Sequence, residues 1–122
     1  MPVAQELAIA KMQQLQPQTI LCCGMAESRT KLSLELRAVV GTHKLYTSIN
    51  VKDLAAGLTA TEISEDAGRF VCNGLYYAIL NYLQNRSLDA ACMFVHVPLL
   101  SSCNRGQIIA DFYQILERVL TT

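Results

Sequence analysis

The chain has 122 residues, 52% of them apolar and only 16% charged, and its ten basic and ten acidic residues cancel. That balance excludes a disordered chain and leaves no basic excess or cluster for nucleic acid. The length fits one domain over residues 1–122, and so little charge on a small domain points to a homo-oligomer in which a second copy covers apolar surface.

In chain order, residues 3–15 read as a helix with Ala4, Leu7, Ala8 and Leu15 facing inward and Lys11 snorkelling. Pro17 stops it. Thr19 to Cys23 reads as a short buried strand closed by Gly24, followed by a polar turn over 25–29. Residues 30–40 alternate: Leu32, Leu34, Leu36 and Ala38 point one way, Lys31, Ser33, Glu35 and Arg37 the other. This predicts one strand with a polar face that carries Glu35. Residues 41–50 are ambiguous in pattern; Lys44 to Ile49 could extend it as a hairpin. Asn50 caps a short helix over Val51 to Ala56, and Gly57 ends it. Ala60 to Ser64 is a further short strand. A turn at 65–68 leads into a strong helix over Phe70 to Asn85, with Leu75, Ile79 and Leu83 on its core line. Ala90 to Val97 is an almost wholly apolar strand ended by Pro98. A last helix, capped from Ser101, Ser102 or Asn104, carries Ile108, Phe112, Ile115, Leu116 and Val119 as its buried stripe. Strands alternating with helices in this way predict an α/β fold with helices over a mostly parallel sheet.

The five cysteines (Cys22, Cys23, Cys72, Cys92 and Cys103) are odd in number and contain no Cys-x-x-Cys pair. This speaks against a disulfide scaffold or zinc ribbon and for a reducing, cytoplasmic setting. The N-terminus does not read as a signal peptide. The longest apolar stretch, Ala90 to Val95, is too short to span a bilayer, so no membrane partner is expected. His43 and His96 are the only histidines, and neither has ligand spacing to a cysteine. No metal or other cofactor is expected.

Three residues carry possible chemistry. Cys72 falls in the first turn of a helix, where unpaired N–H groups and the helix dipole favour a thiolate. His96 falls near the end of the next strand, where it could hold or shuttle the thiol proton. Glu35 could orient that imidazole. Each also has an ordinary reading: a small buried hydrophobe, a satisfied core histidine, and a solvated carboxylate on a strand face. Tyr76, Tyr77 and Tyr82 read as packing on one helix, and Cys22-Cys23 as strand core.

Residues 64–73 read Ser-Glu-Asp-Ala-Gly-Arg-Phe-Val-Cys-Asn, and residues 94–98 read Phe-Val-His-Val-Pro. Together they resemble the nucleophile and histidine motifs of the pyroglutamyl peptidase (pyrrolidone-carboxylate peptidase) family, at that family's spacing. Residues 24–35, Gly-Met-Ala-Glu-Ser-Arg-Thr-Lys-Leu-Ser-Leu-Glu, resemble a degraded form of its glutamate motif. The resemblance implies a three-layer α/β/α sandwich lacking the family's first strands. It implies Cys72 as nucleophile, His96 as general base and acid, Glu35 as orienting carboxylate, and Phe70 as a wall of the substrate pocket. The substrate it implies is a peptide or small amide with an N-terminal pyroglutamate or related acyl group. Three departures stand out. The family's Gly-Phe-x-Pro-Phe loop has no counterpart here, Met25 replaces the family's glutamine, and the stretch between Glu35 and Cys72 is shorter, without an Arg-x-Pro-Asp sequence. Two functions follow as expectations: a cysteine hydrolase of weak or altered activity, or an inactive, truncated paralogue acting as a binding or structural protein.

Overall fold

Strand β2 (Leu32–Glu35) alternates leucine with polar residues, yet all four of its residues are buried. Helices cover both sides of its sheet, so alternation here separates two interiors rather than core from solvent. In the computed structural model, which describes residues 2–68 and 71–121, the four-stranded sheet runs β1 (Thr19–Met25), β6 (Ala91–Val97), β2, β5 (Thr61–Ser64). β1 is parallel to β6 and β2 is parallel to β5, while β6 and β2 meet antiparallel.

Two helices pack on each face. On one, α2 (Val51–Ala55) and α4 (Arg105–Leu120) set Val51, Leu54, Ile108, Ile115 and Val119 against Leu32, Leu34, Met93 and Val95. On the other, α1 (Pro2–Leu15) and α3 (Val71–Asn85) set Met12, Tyr76, Ile79, Leu80 and Leu83 against Cys92 and Phe94. The result is the three-layer sandwich with a mostly parallel sheet.

The single strand expected over 30–40 is two. At Leu36 the chain leaves the sheet: its N–H donates to Ser64 O and its carbonyl accepts from Thr47 N–H. Beyond it, β3 (Arg37–Val40) and β4 (His43–Tyr46) pair as a separate antiparallel hairpin. Gly41 sits in the two-residue turn at φ +61°, a conformation that favours glycine. The expected inner face of α1 holds only in part: Ala8 packs against the core. Leu7 and Leu15 are 66% and 65% exposed, and Met12 is the residue that enters the core.

Polar anchors fix the rotation of α4. Buried Asp111 accepts hydrogen bonds through Oδ2 from Ala60 N–H at 2.8 Å and Thr61 Oγ1 at 2.9 Å, tying the helix to the start of β5. Arg118 Nη1 donates to the carbonyls of Leu54 and Ala56, both at 2.8 Å, at the end of α2. The stripe read from the sequence is corrected in one place: Leu116 lies on the outside of the helix. Asp111→Ala leaves two buried donors unpaired and is expected to cost about 2–4 kcal/mol, read as a drop in the urea midpoint at unchanged slope.

Candidate active site

Glu35 ends β2, on the face opposite Leu34 and toward α3. Its backbone carbonyl accepts from Tyr76 Oη at 2.8 Å, so the tyrosine expected only to pack also holds this strand end. The Glu35 side chain is fully buried, not solvated as its polar strand face suggests. It reaches diagonally across the β2–β6 pairing to His96, and Oε2 lies 2.6 Å from His96 Nδ1. With the carboxylate as acceptor, Nδ1 carries the ring proton and Nε2 keeps its lone pair. Arg29 Nη1 adds a positive group 3.5 Å from Oε2, while its Nη2 donates to Asp66 O at 2.7 Å. Arg29 therefore ties the 26–31 turn to both the carboxylate and the loop ahead of α3. Oε1 of Glu35 is buried with no hydrogen-bond partner among the described residues.

Cys72 is the second residue of α3, at the helix start. Its Sγ sits over Gly24 of β1, where an added Cβ would lie 2.7 Å from the sulfur and 3.0 Å from the Phe94 ring. Gly24 is the register partner of His96, and the Phe94 and His96 rings are 4.9 Å apart, centre to centre. Glycine is needed at this point because the thiol occupies the space of a side chain. The thiol, Gly24, Phe94 and the Glu35–His96 pair thus cluster on one face of the sheet at the carboxyl end of β6. No hydrogen bond joins Cys72 to His96 among the described residues. Phe70, the expected pocket wall, lies outside the described residues.

Asn73, next to the candidate nucleophile, is a residue the sequence reading missed. Its Nδ2 donates to Val39 O at 2.7 Å and its Oδ1 accepts from Val39 N–H at 3.0 Å. This fixes the first turn of α3 to the strand that follows Glu35. An asparagine beside a cysteine at a helix start is the only sequence signal for it.

The electrostatics differ from the expectation that the helix start lowers the thiol. Partial burial pushes the Cys72 thiol up from its ordinary value, and the charges of Glu35 and Cys22 push it further. The thiol at rest is neutral. Deeper in the same layer, a hydrogen bond with Cys22 together with burial pushes Cys92 up, and burial pushes the Tyr76 hydroxyl up. The sign for stability follows from linkage. Above the ordinary value of 10.0 the unfolded chain releases a proton that folded Tyr76 keeps. Stability is therefore expected to fall as pH rises past that value, by up to about 1.4 kcal/mol per pH unit. Urea melts between pH 8 and 11 check this, and Tyr76→Phe should flatten the upper part of the slope. Among the described residues no group of three or more His, Cys, Asp or Glu side chains could hold a metal ion.

Comparison with known proteins identifies the family and the fold. A family model described as Pyroglutamyl peptidase matches residues 39–112, more than half of the chain. The chain belongs to the pyroglutamyl peptidase family, a family of cysteine peptidases. The matched span contains Cys72 and His96 and begins just after Glu35. Pyrrolidone-carboxylate peptidase 1 of Caldanaerobacter subterraneus subsp. tengcongensis is 27% identical over 124 residues, covering 80% of this chain and 61% of the relative. The pyrrolidone-carboxylate peptidase of Vibrio parahaemolyticus is 36% identical over 64 residues, 49% of this chain and 29% of the relative. The chain thus spans at most about three-fifths of these curated relatives, reaching 61%. A mutant pyrrolidone carboxyl peptidase from Pyrococcus furiosus superposes with a TM-score of 0.84 at 17% identity, over 97% of this chain and 76% of that one. The pyroglutamyl peptidase I of Bacillus amyloliquefaciens gives 0.81 at 17% identity, over 94% and 71%. At such identities these two structures speak for the fold.

Proposed function

We propose that the chain is a cysteine-type peptidase or amidase that removes an N-terminal pyroglutamyl or related acyl group. Cys72 is the nucleophile, His96 the general base and acid, and Glu35 the carboxylate that orients the imidazole. The observation that carries the reading is the buried 2.6 Å Glu35–His96 contact on the sheet face where the Cys72 thiol sits over Gly24. Because the thiol is neutral at rest, the proton must move as the bond forms. His96 Nε2 takes it while Sγ attacks the acyl carbon, and Glu35 stabilises the resulting imidazolium. The N–H of Cys72 at the helix start is placed to hold the oxyanion. His96 returns the proton to the departing amine, and water then hydrolyses the thioester.

The reading includes weak turnover. Met25, 59% exposed at the end of β1, stands where the family has a glutamine and can offer a lactam no strong hydrogen bond. Losing that hydrogen bond costs about 1–3 kcal/mol, or about 10–10²-fold in kcat/KM. A chromogenic pyroglutamyl amide should therefore be cleaved slowly. Turnover near that of an ordinary peptidase would contradict the pocket account, and no turnover at any protein concentration would contradict the hydrolase reading.

One observation favours a second reading, an inactive binding protein: the Cys72 thiol is pushed up and makes no hydrogen bond to His96 among the described residues. Five free cysteines support a cytoplasmic setting. Exposed apolar side chains on α1 and α4 support self-association of the chain.

A further inference from the structure

A cleft of about 1020 Å³ opens at the end of the sheet opposite Cys72, where β1 and β6 begin. The strands are seven residues long, so it lies about 20 Å from their carboxyl ends and from the Glu35–His96 pair. The last turn of α1, the last turn of α3 and the 48–50 loop complete its walls. Met12, Ile20, Leu83 and Leu88 give it apolar surface. Both helices end at this cleft, and each is followed by a left-handed residue that turns the chain, Gln16 at φ +48° and Ser87 at φ +51°.

Two opposite charges line the cleft without neutralising each other. The Arg86 guanidinium lies over the Tyr82 ring, 4.3 Å from its centre, which holds the cation in place. Among the described residues that guanidinium makes no hydrogen bond and no ion pair, so its N–H groups remain open. Asp89 lines the same cleft and forms no ion pair with Arg86.

We propose that this cleft binds a short peptide with free termini. Arg86 takes its carboxylate, Asp89 its ammonium group, and Met12, Ile20 and Leu83 an apolar side chain. The site is remote from Cys72 and does not depend on whether that thiol turns over substrate. Three observations select this ligand. A plain anion would meet Asp89 and a plain cation would meet Arg86, whereas a zwitterion satisfies both. The carboxyl end of α1 stands at the cleft with no basic residue in its last turn, and the negative end of a helix favours an ammonium group. The side chains of Gln13, Gln16 and Gln18 line the cleft and make no hydrogen bond among the described residues. Each offers an amide donor and an amide acceptor, the complement of a peptide unit. The volume suits a small ligand of a few residues, since such sites run to about 1,000 Å³.

Two-dimensional NMR of the isotope-labelled full chain, titrated with the tripeptide Ala-Leu-Ala, tests this. Shift changes are expected at residues 12–20, 48–50 and 82–91, saturating with a Kd of about 0.1–1 mM. The same tripeptide acetylated and amidated at its ends should bind about 10-fold more weakly or worse. Arg86→Met and Asp89→Asn, both at exposed positions, should each weaken the free tripeptide by about 5-fold or more, with otherwise native spectra. The tripeptide amidated at its carboxyl end alone should bind wild type and Arg86→Met alike, because the lost charge and the lost guanidinium are partners. Four results would each overturn the proposal: no shift changes in the cleft up to about 10 mM tripeptide, changes led by residues around Cys72 and His96, a capped tripeptide bound as tightly as the free one, or variants that bind like wild type. None of these readouts uses turnover, so failure here is distinct from failure of the hydrolase reading.

Discussion

Cys72→Ala is expected to abolish turnover of a pyroglutamyl amide down to the uncatalysed rate, and His96→Ala to lower it by about 10²–10⁴-fold. The two should not add, because sulfur attack needs the base, and without Cys72 no acyl-enzyme forms for His96 to act on. The double variant should be no slower than Cys72→Ala alone. Cys103→Ala is the control, since that thiol is exposed in the loop before α4 and has no assigned role. A rate unchanged in Cys72→Ala would assign the activity to a contaminant. Thiol chemistry should follow the upward shift at Cys72. Alkylation of Cys72 should be slow at neutral pH and accelerate as pH rises past the ordinary thiol value of 9.0.

Glu35→Ala should be among the most damaging substitutions for stability. The carboxylate is fully buried, contacts His96 at 2.6 Å, and has Arg29 at 3.5 Å. Removing it leaves a cavity, an unpaired buried imidazole N–H and a guanidinium facing no anion, a loss of about 3–5 kcal/mol. Glu35→Gln keeps the volume and one acceptor, so it should cost less stability. It should still lower turnover by about 10²-fold or more, because an uncharged partner no longer stabilises the imidazolium. A chemical denaturation series over the two variants separates these effects. Equal stability losses would mean that the charge, rather than volume or a neutral acceptor, holds the site, and no loss in Glu35→Gln would mean that charge contributes little to holding His96.

Element order was legible because its signals are local. Pro17, Asn50, Gly57 and Pro98 punctuate the chain, and α3 and β6 have strong patterns. Three things were not legible, each for a physical reason. Period-two alternation at 32–35 shows which residues share a face but not whether that face is covered, so Ser33 and Glu35 read as solvated. The break at Leu36 has no glycine or proline to mark it, being made by long-range bonds to Ser64 and Thr47. On α4 the inner and outer faces are both apolar, which blurs the helical period and drew Leu116 into the buried stripe. In the site, the resemblance supplied Cys72, His96 and Glu35 together, whereas spacing alone left their meeting open. Asn73 stayed hidden because its partner, Val39, lies more than thirty residues away, and Arg29 because its bond to Asp66 spans a similar distance and its contact with nearby Glu35 depends on the turn between them.

The most direct test of the central claim is to map where a pyroglutamyl chloromethyl ketone reacts, by peptide mass spectrometry. Sulfur displaces chloride and retains the acylmethyl group, so the labelled thiol is the one that lies beside a bound acyl group. The account predicts labelling at Cys72 ahead of the exposed Cys23 and Cys103, lost when excess pyroglutamate competes and strongly reduced in His96→Ala. Labelling led by Cys103 or Cys23, or labelling of Cys72 indifferent to both pyroglutamate and His96, would contradict it.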